Sequence, residues 1–232
     1  MSESRHNPDQ LLKAIQADEE NRNKGHLKIF FGYAAGVGKT YAMLEAAHMA
    51  KQQGIDVVAG YIEPHSRPKT AALLNGLEVL PTREVLYNGM ILDEFDIGMA
   101  LKRKPQLILV DELAHTNAEG CRHAKRYQDI KELLNAGIDV YTTVNVQHIE
   151  SLCDTVASIT EIVVRERIPD SIFDNADQVE LIDIEPQDLI NRLNTGNVYR
   201  QTQEKQAVEN FYTIENLTAL REISLRRCAD RV

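Results

Sequence analysis

Apolar positions fall in short unbroken runs, separated by longer stretches in which they recur every three to four residues. That alternation predicts parallel strands joined by helices. The run Leu27-Lys28-Ile29-Phe30-Phe31 reads as a buried strand, and Ala42, Met43, Ala46, Ala47 and Ala50 share one face of a helix expected over 40–53, which Gly54 stops. Further strands are predicted at 56–62, 106–110, 139–144 and 178–184, with helices at 96–104, 125–135, 151–159 and 186–193. A short helix over 67–75 and two strand-like pieces, 77–80 and 83–87, form a small excursion with turns at Pro81 and Asn88-Gly89. At the start, Asn7 caps and Pro8 opens an amphipathic helix carrying Leu11, Leu12 and Ile15, followed by a charged connection over 18–24. Beyond residue 200, Val208, Phe211, Ile214, Leu217, Leu220 and Ile223 drift around a single helix, which predicts two helices broken near Asn216. The expected division is an N-terminal helix and connection over 1–26, an α/β core over 27–196 and C-terminal helices over 197–232. No repeat or linker composition cuts this into independent domains.

Composition narrows the class. A chain of 232 residues with 43% hydrophobic residues can bury one substantial α/β core. Its formal net charge of -9 disfavours nucleic acid as a partner, because nonspecific binding to phosphates needs a basic surface. Cys121, Cys153 and Cys228 are odd in number and far apart, so neither a disulfide framework nor a zinc ribbon fits, and a reducing cytoplasm is expected. No apolar run approaches the ~18 residues of a membrane span, and Met1-Ser2-Glu3-Ser4-Arg5 lacks the apolar core of a signal peptide. No direct membrane insertion by this chain is expected.

The chemistry concentrates at Gly32-Tyr33-Ala34-Ala35-Gly36-Val37-Gly38-Lys39-Thr40-Tyr41, where the first strand meets its helix. Small residues let such a turn curl so that successive amides point at an anion, a lysine adds charge beside the β/γ-phosphates, and a threonine hydroxyl ligates Mg²⁺. The general pattern has glycine where Tyr33 stands; Gly32 lies one residue earlier. Phosphate loops need an acid at the end of a later buried strand, and the strand ending at Val110 delivers Asp111 and Glu112. Asp111 would hold Mg²⁺ through water with Thr40, and Glu112 would be the catalytic candidate, orienting or deprotonating an attacking water. Such a pair resembles the RecA-like, additional-strand class of P-loop NTPases, a mostly parallel sheet flanked by helices. In that class a strand between the two motif strands ends in a polar sensor. Thr143, Asn145 and Gln147 are available, Asn145 being the choice for the γ-phosphate, with turn capping as its alternative use. Arg122 and Arg126, in the densest basic cluster, are candidates for an arginine finger on the nucleotide; pairing with Asp129 or Glu132 at a surface helix start is the other use. A zinc site among Asp111, Glu112, His115, Cys121, His123 and His148 lacks structural-zinc or HExxH spacing, and His65-Ser66 lacks the elbow of a serine hydrolase.

Four linked segments carry a more specific resemblance: Gly36 to Leu44, Val110 to Asn117, Arg122 to Asp129 and Gly137 to His148. Together with the tail Asn216 to Glu222, they resemble the N-terminal cytoplasmic domain of the KdpD family of sensor histidine kinases, which control potassium uptake in bacteria. The resemblance implies ATP binding at Gly36, Gly38, Lys39 and Thr40, a second motif at Asp111, and a loop in which the Gly32-to-Gly38 spacing is a family feature. It also implies that Val232 lies where the first domain of a longer sensor ends. A stress-protein-like domain, membrane helices, and phosphoacceptor and kinase domains would follow it. On that footing this chain does not autophosphorylate. Its partners would be ATP, the remainder of the sensor and a response regulator, at the cytoplasmic face of the membrane, with a homodimer left open. Three readings follow: a regulatory ATP-binding domain, an ATPase or small-molecule kinase using the same loop, and an interaction module whose loop binds no nucleotide.

Overall fold

The computed structural model describes residues 23–63, 68–87, 89–195 and 211–231. The helix expected around Asn7, His65, Ser66 and the stretch containing Val208 lie outside the described residues. In chain order the elements are β1 (Leu27–Gly32), α1 (Lys39–Gln52), β2 (Val57–Tyr61), α2 (Pro68–Ala72), β3 (Glu78–Val79), β4 (Arg83–Tyr87), β5 (Met90–Glu94), α3 (Ile97–Arg103), β6 (Leu107–Val110), α4 (Arg126–Asn135), β7 (Asp139–Asn145), α5 (Cys153–Thr160), α6 (Asp170–Asp174), β8 (Gln178–Leu181), α7 (Pro186–Thr195) and α8 (Ile214–Ala229).

Six strands form one sheet in the order β3-β2-β6-β7-β1-β8, and every pairing in it is parallel. Strand alternation sorts the core into two layers, because successive side chains leave opposite faces. Phe30, Val57, Ala59, Leu107 and Leu109 meet Met43, Leu44 and Ala47 of α1 on one face. Ile29, Phe31, Val58, Ile108, Val110 and Val140 meet α3, α4 and α5 on the other, where α7 and α8 also pack. With both faces covered, the strands read as unbroken apolar runs. β7 stands between β1 and β6, the inserted strand that the sequence led us to expect.

Several boundaries differ from expectation for local reasons. The pieces at 77–80 and 83–87 separate: Glu78–Val79 extends the main sheet beside β2, while Arg83–Tyr87 pairs antiparallel with β5, a strand not anticipated. Tyr87 faces Met90, and Gly89 next to Met90 has φ 80°, a geometry that glycine accepts without strain. Ser151 opens no α-helix; 3₁₀ turns at Val146–His148 and Glu150–Leu152 precede α5. α6 was not foreseen, five residues being too few to show periodicity. The C-terminal break falls at Thr213 rather than Asn216, because the Thr213 hydroxyl accepts from the Asn216 amide at 3.2 Å and so starts α8.

α8 belongs to the same core as the sheet: Leu217 and Leu220 are fully buried in it. Leu220→Ala is therefore expected to lower stability by about 2–5 kcal/mol in urea unfolding, the usual range for emptying a buried leucine site. A loss below ~1 kcal/mol would show that α8 is a detachable appendage.

Candidate functional site

Parallel pairing brings the carboxyl ends of β1, β6 and β7 together, and the cleft lies there. Its floor is the loop from Tyr33 to Gly38. Gly36 and Gly38 have φ of 96° and 113°, left-handed values that favour glycine, and Gly38 stands at the start of α1. Gly32 is required for another reason: a Cβ there would come 2.7 Å from Val37 Cγ2 and 3.2 Å from Lys39 Cδ. Tyr33 occupies its position by turning its ring into the core, where its hydroxyl donates to the Ile184 carbonyl at 3.1 Å. Burial, reinforced by the Asp183 carboxylate, lifts that phenol to about 12, so it stays a donor.

The Ala35, Gly36 and Val37 carbonyls of this loop turn away from the cleft. The Tyr212 hydroxyl donates to Ala35 O at 3.3 Å, and Arg192 Nη1 donates to Gly36 O at 3.4 Å and Val37 O at 3.3 Å. In a trans peptide the amide of the next residue points the opposite way. The N–H groups of Gly36, Val37 and Gly38 consequently face inward as a nest at the N-terminus of α1, an arrangement suited to anions. Lys39, nearly buried, donates to Ala34 O at 3.0 Å and to Asn145 Oδ1, which holds its ammonium at the rim.

The acid side is equally ordered. Asp111, 1% exposed, takes a hydrogen bond from the Thr143 hydroxyl on one oxygen and from the Thr40 hydroxyl, at 3.0 Å, on the other. Two oxygen ligands from opposite walls thus stand beside the amide nest, the hard-donor set that suits a hydrated divalent cation. Glu112 follows with φ 59°, left-handed for a residue with a side chain, while its amide donates to Asp111 Oδ1 at 3.1 Å. Burial first, and then the carboxylates of Glu63 and Asp111, raise the Glu112 carboxyl to about 7.

Of the sequence-selected residues, Ala35, Gly36, Gly38, Lys39, Thr40, Asp111, Glu112 and Asn145 line the cleft. Gly32, Ala34 and Val37 shape the loop from beneath, and Tyr41 is exposed, its hydroxyl on Glu45. The two arginines stay out of the cleft lining. Arg122 pairs with Glu132 at 2.6 Å on the surface. Arg126 is no surface residue: it is wholly buried, reaching Glu94 at 3.0 Å, Asn117 Oδ1 at 3.3 Å and the Asp111 carbonyl at 3.3 Å, with its guanidinium 4.3 Å from the Tyr61 ring centroid. Asp129, its expected partner, is 4.0 Å away. That arginine braces the Asp111 backbone from behind.

His115 and His148, considered above as metal ligands, line the cleft together with Glu166, which no sequence signal marks. His115 bridges Glu94 at 3.1 Å and Glu166 at 3.9 Å. Burial lowers the His148 pKa; its Nδ1 lies 2.9 Å from the Glu166 carbonyl, an acceptor only, so Nδ1 carries the proton and Nε2 keeps a lone pair. Glu166 sits in an irregular stretch some twenty residues beyond β7, where no periodicity marks it.

The amides of the loop, Lys39 and the Thr40–Asp111 oxygen pair thus meet at the carboxyl ends of a parallel sheet in an α/β domain. Residues 23–232 match the family model described as the osmosensitive K⁺ channel His kinase sensor domain, KdpD, and the chain belongs to that family. It is 62% identical over 228 residues to "Sensor protein KdpD" of Clostridium acetobutylicum and 55% identical over 228 residues to the protein of that name from Escherichia coli K12. Each alignment covers 98% of this chain and 25% of the relative. The "Putative sensor protein KdpD" of Synechocystis is 51% identical over 209 residues, which is 90% of this chain and 56% of the relative. The chain thus spans about a quarter of the length of the first two curated relatives. Among the described residues, no helix is long and apolar enough to cross a membrane.

Glu112 gives a pH test. Its folded pKa is about 7, above the ordinary carboxylate value of 4.5, so ionising it opposes folding. The stability it permits is fully present below the unfolded value and is lost as pH rises through 7. Glu112→Gln should match the wild type in urea unfolding at pH 4 and exceed it by on the order of 2 kcal/mol at pH 8. An advantage independent of pH would overturn the assignment.

Proposed function

We propose that this chain binds ATP with Mg²⁺ in the cleft, as a P-loop domain of the RecA-like, additional-strand class. Occupancy of the site then biases the kinase/phosphatase balance of a sensor histidine kinase governing potassium uptake. The observation that carries the reading is the coincidence of three inward amides and Lys39 with the Thr40–Asp111 oxygen pair. Polyphosphate alone would meet the carboxylates of Asp111, Glu112 and Glu166 across the cleft. A bridging divalent cation turns that repulsion into coordination, so the site suits a metal–nucleotide complex better than a bare anion.

In this reading the amides of Gly36, Val37 and Gly38 hold phosphate oxygens, and Lys39 exchanges its protein partners for the β/γ-phosphates. Thr40 would ligate the metal and Asp111 would hold it through water. Mg²⁺ supplies charge neutralisation across the phosphates. Asn145, already on the Lys39 ammonium, is positioned to sense that exchange. The domain lies at the cytoplasmic face of the membrane, with the rest of the sensor and its response regulator as partners. Transmission requires that ATP favour one arrangement of the domain over another.

Turnover, as an ATPase or small-molecule kinase, is the second reading. One observation favours it: Glu112, with a pKa near neutrality, and His148, with a free Nε2 lone pair, line the same cleft. Titration calorimetry separates the readings. ATP with Mg²⁺ should bind to the wild type and lose at least about tenfold in affinity in Lys39→Ala, since hydrogen bonds to a charged group contribute about 1.5–3 kcal/mol. Phosphate release should stay below ~1 per second, the low end of ordinary enzyme rates. Faster release would replace the regulatory reading with the enzymatic one, and an absence of ATP heat with the wild type would remove both.

A further inference from the structure

The carbonyl side of the phosphate loop is held by residues that belong to neither the loop nor the acid strand. We infer that Arg192 and Tyr212 are positioning residues for the nucleotide, and that through them a filled site seats the C-terminal helices more firmly. This inference rests on the ATP reading above and names how that site is coupled to the chain beyond it.

Three consecutive peptide planes carry the argument. Ala35–Gly36, Gly36–Val37 and Val37–Gly38 each present a carbonyl to Tyr212 or Arg192 and an amide to the cleft. Two of the three are held by a single guanidinium nitrogen. A donor on the carbonyl polarises the peptide and strengthens the amide on its far side as a donor, so the two faces of one plane reinforce each other. Gly36 and Gly38 leave the backbone permissive, and an unheld loop of this composition would lose conformational entropy on closing around phosphate. Arg192 also places a fixed positive charge behind the nest, its Nη1 3.7 Å from where a Cβ on Gly38 would stand.

The same residues tie the loop to the C-terminal helices by a closed circuit. Arg192 projects from α7, and Tyr212 immediately precedes α8, beside Phe211 in the core. Arg221 of α8 holds both Asp183 oxygens, at 2.7 to 3.0 Å, and Glu185 at 2.8 Å. Between those acids, the Ile184 carbonyl accepts from Tyr33, the first residue of the loop. The loop is thus linked to α7, to the segment before α7 and to Tyr212 ahead of α8, and that same segment is held by Arg221 of α8. Coupling free energy is reciprocal, so if these contacts sharpen the nest for phosphate, phosphate must sharpen the contacts.

The test combines titration calorimetry with hydrogen exchange on the 232-residue chain, using wild type, Arg192→Met, Arg192→Lys and Tyr212→Phe. Affinity for Mg–ATP should fall about tenfold in Arg192→Met and about threefold in Tyr212→Phe, with Arg192→Lys recovering part of the loss. In the wild type, Mg–ATP should slow amide exchange across 214–229 at least about threefold; that response should vanish in Arg192→Met, a change that a merely structural role would not produce. If Arg192→Met does not fold, Tyr212→Phe, which removes one oxygen, carries the comparison alone. Wild-type affinity in the folded variants, or an exchange response unchanged by them, overturns the inference while leaving the ATP reading intact, provided that Lys39→Ala weakens binding at least about tenfold. A wild type that binds no ATP overturns both.

Discussion

The register of β7 between β1 and β6 is the constraint on which the rest depends. Gly32 lies opposite Asn145, which sets Asn145 beside the loop and allows it to meet Lys39. Leu109 lies opposite Tyr141, so two residues further on Asp111 comes level with Thr143, whose hydroxyl holds one of its oxygens. The backbone repeats the message, because the Leu113 amide reaches the Thr143 carbonyl at 3.0 Å. A slip by one residue would reverse every side chain on β7 and separate both pairs. Such a slip is opposed by two apolar layers at once, since a parallel sheet covered on both faces has no solvent side to tolerate it.

Behind that register sits a buried charge network that fixes where β6 ends. Arg126 satisfies Glu94, Asn117 and the Asp111 carbonyl, and Glu94 in turn accepts from the Ala118 amide at 2.8 Å and faces His115. Desolvation works against the Glu94 carboxylate, yet its hydrogen bonds from His115 and Ala118 and the nearby charges hold its pKa below the ordinary value. Removing one member of such a set leaves an uncompensated buried charge, typically at a cost of about 3–5 kcal/mol. Glu94 closes β5, so the antiparallel hairpin that looked like an ornament is rooted directly behind the site acid.

The cleft is thus organised from two sides by elements outside it. The Arg126 network steadies the acid side, while Arg192 and Tyr212 steady the nest. Between them lie a cation, Lys39, and several carboxylates, a charge pattern that a metal–polyphosphate would complete. One face of the loop lines the cleft, and the carbonyls on its other face contact Arg192 of α7 and Tyr212 ahead of α8.

Much of this was legible in the residue order. The Gly36-Val37-Gly38-Lys39-Thr40 run and the apolar strand ending at Asp111 are local signals, because backbone permissiveness and strand burial depend on residue type and neighbours. They determined a parallel α/β core, the ends of β1 and β6, and most residues of the cleft. Tertiary structure alone decided what distant residues do. Arg126 looked like a surface cation because a helix start is usually wet; only the packing of Tyr61, Phe95 and Glu94 around it makes it a buried brace. Glu166, Arg192 and Tyr212 carry no local mark, and they matter through contacts spanning between 18 and 177 positions of chain. A sequence records which groups are available and how its own segments curl. Which side of a peptide plane is held, and by what, is set only when the chain closes on itself.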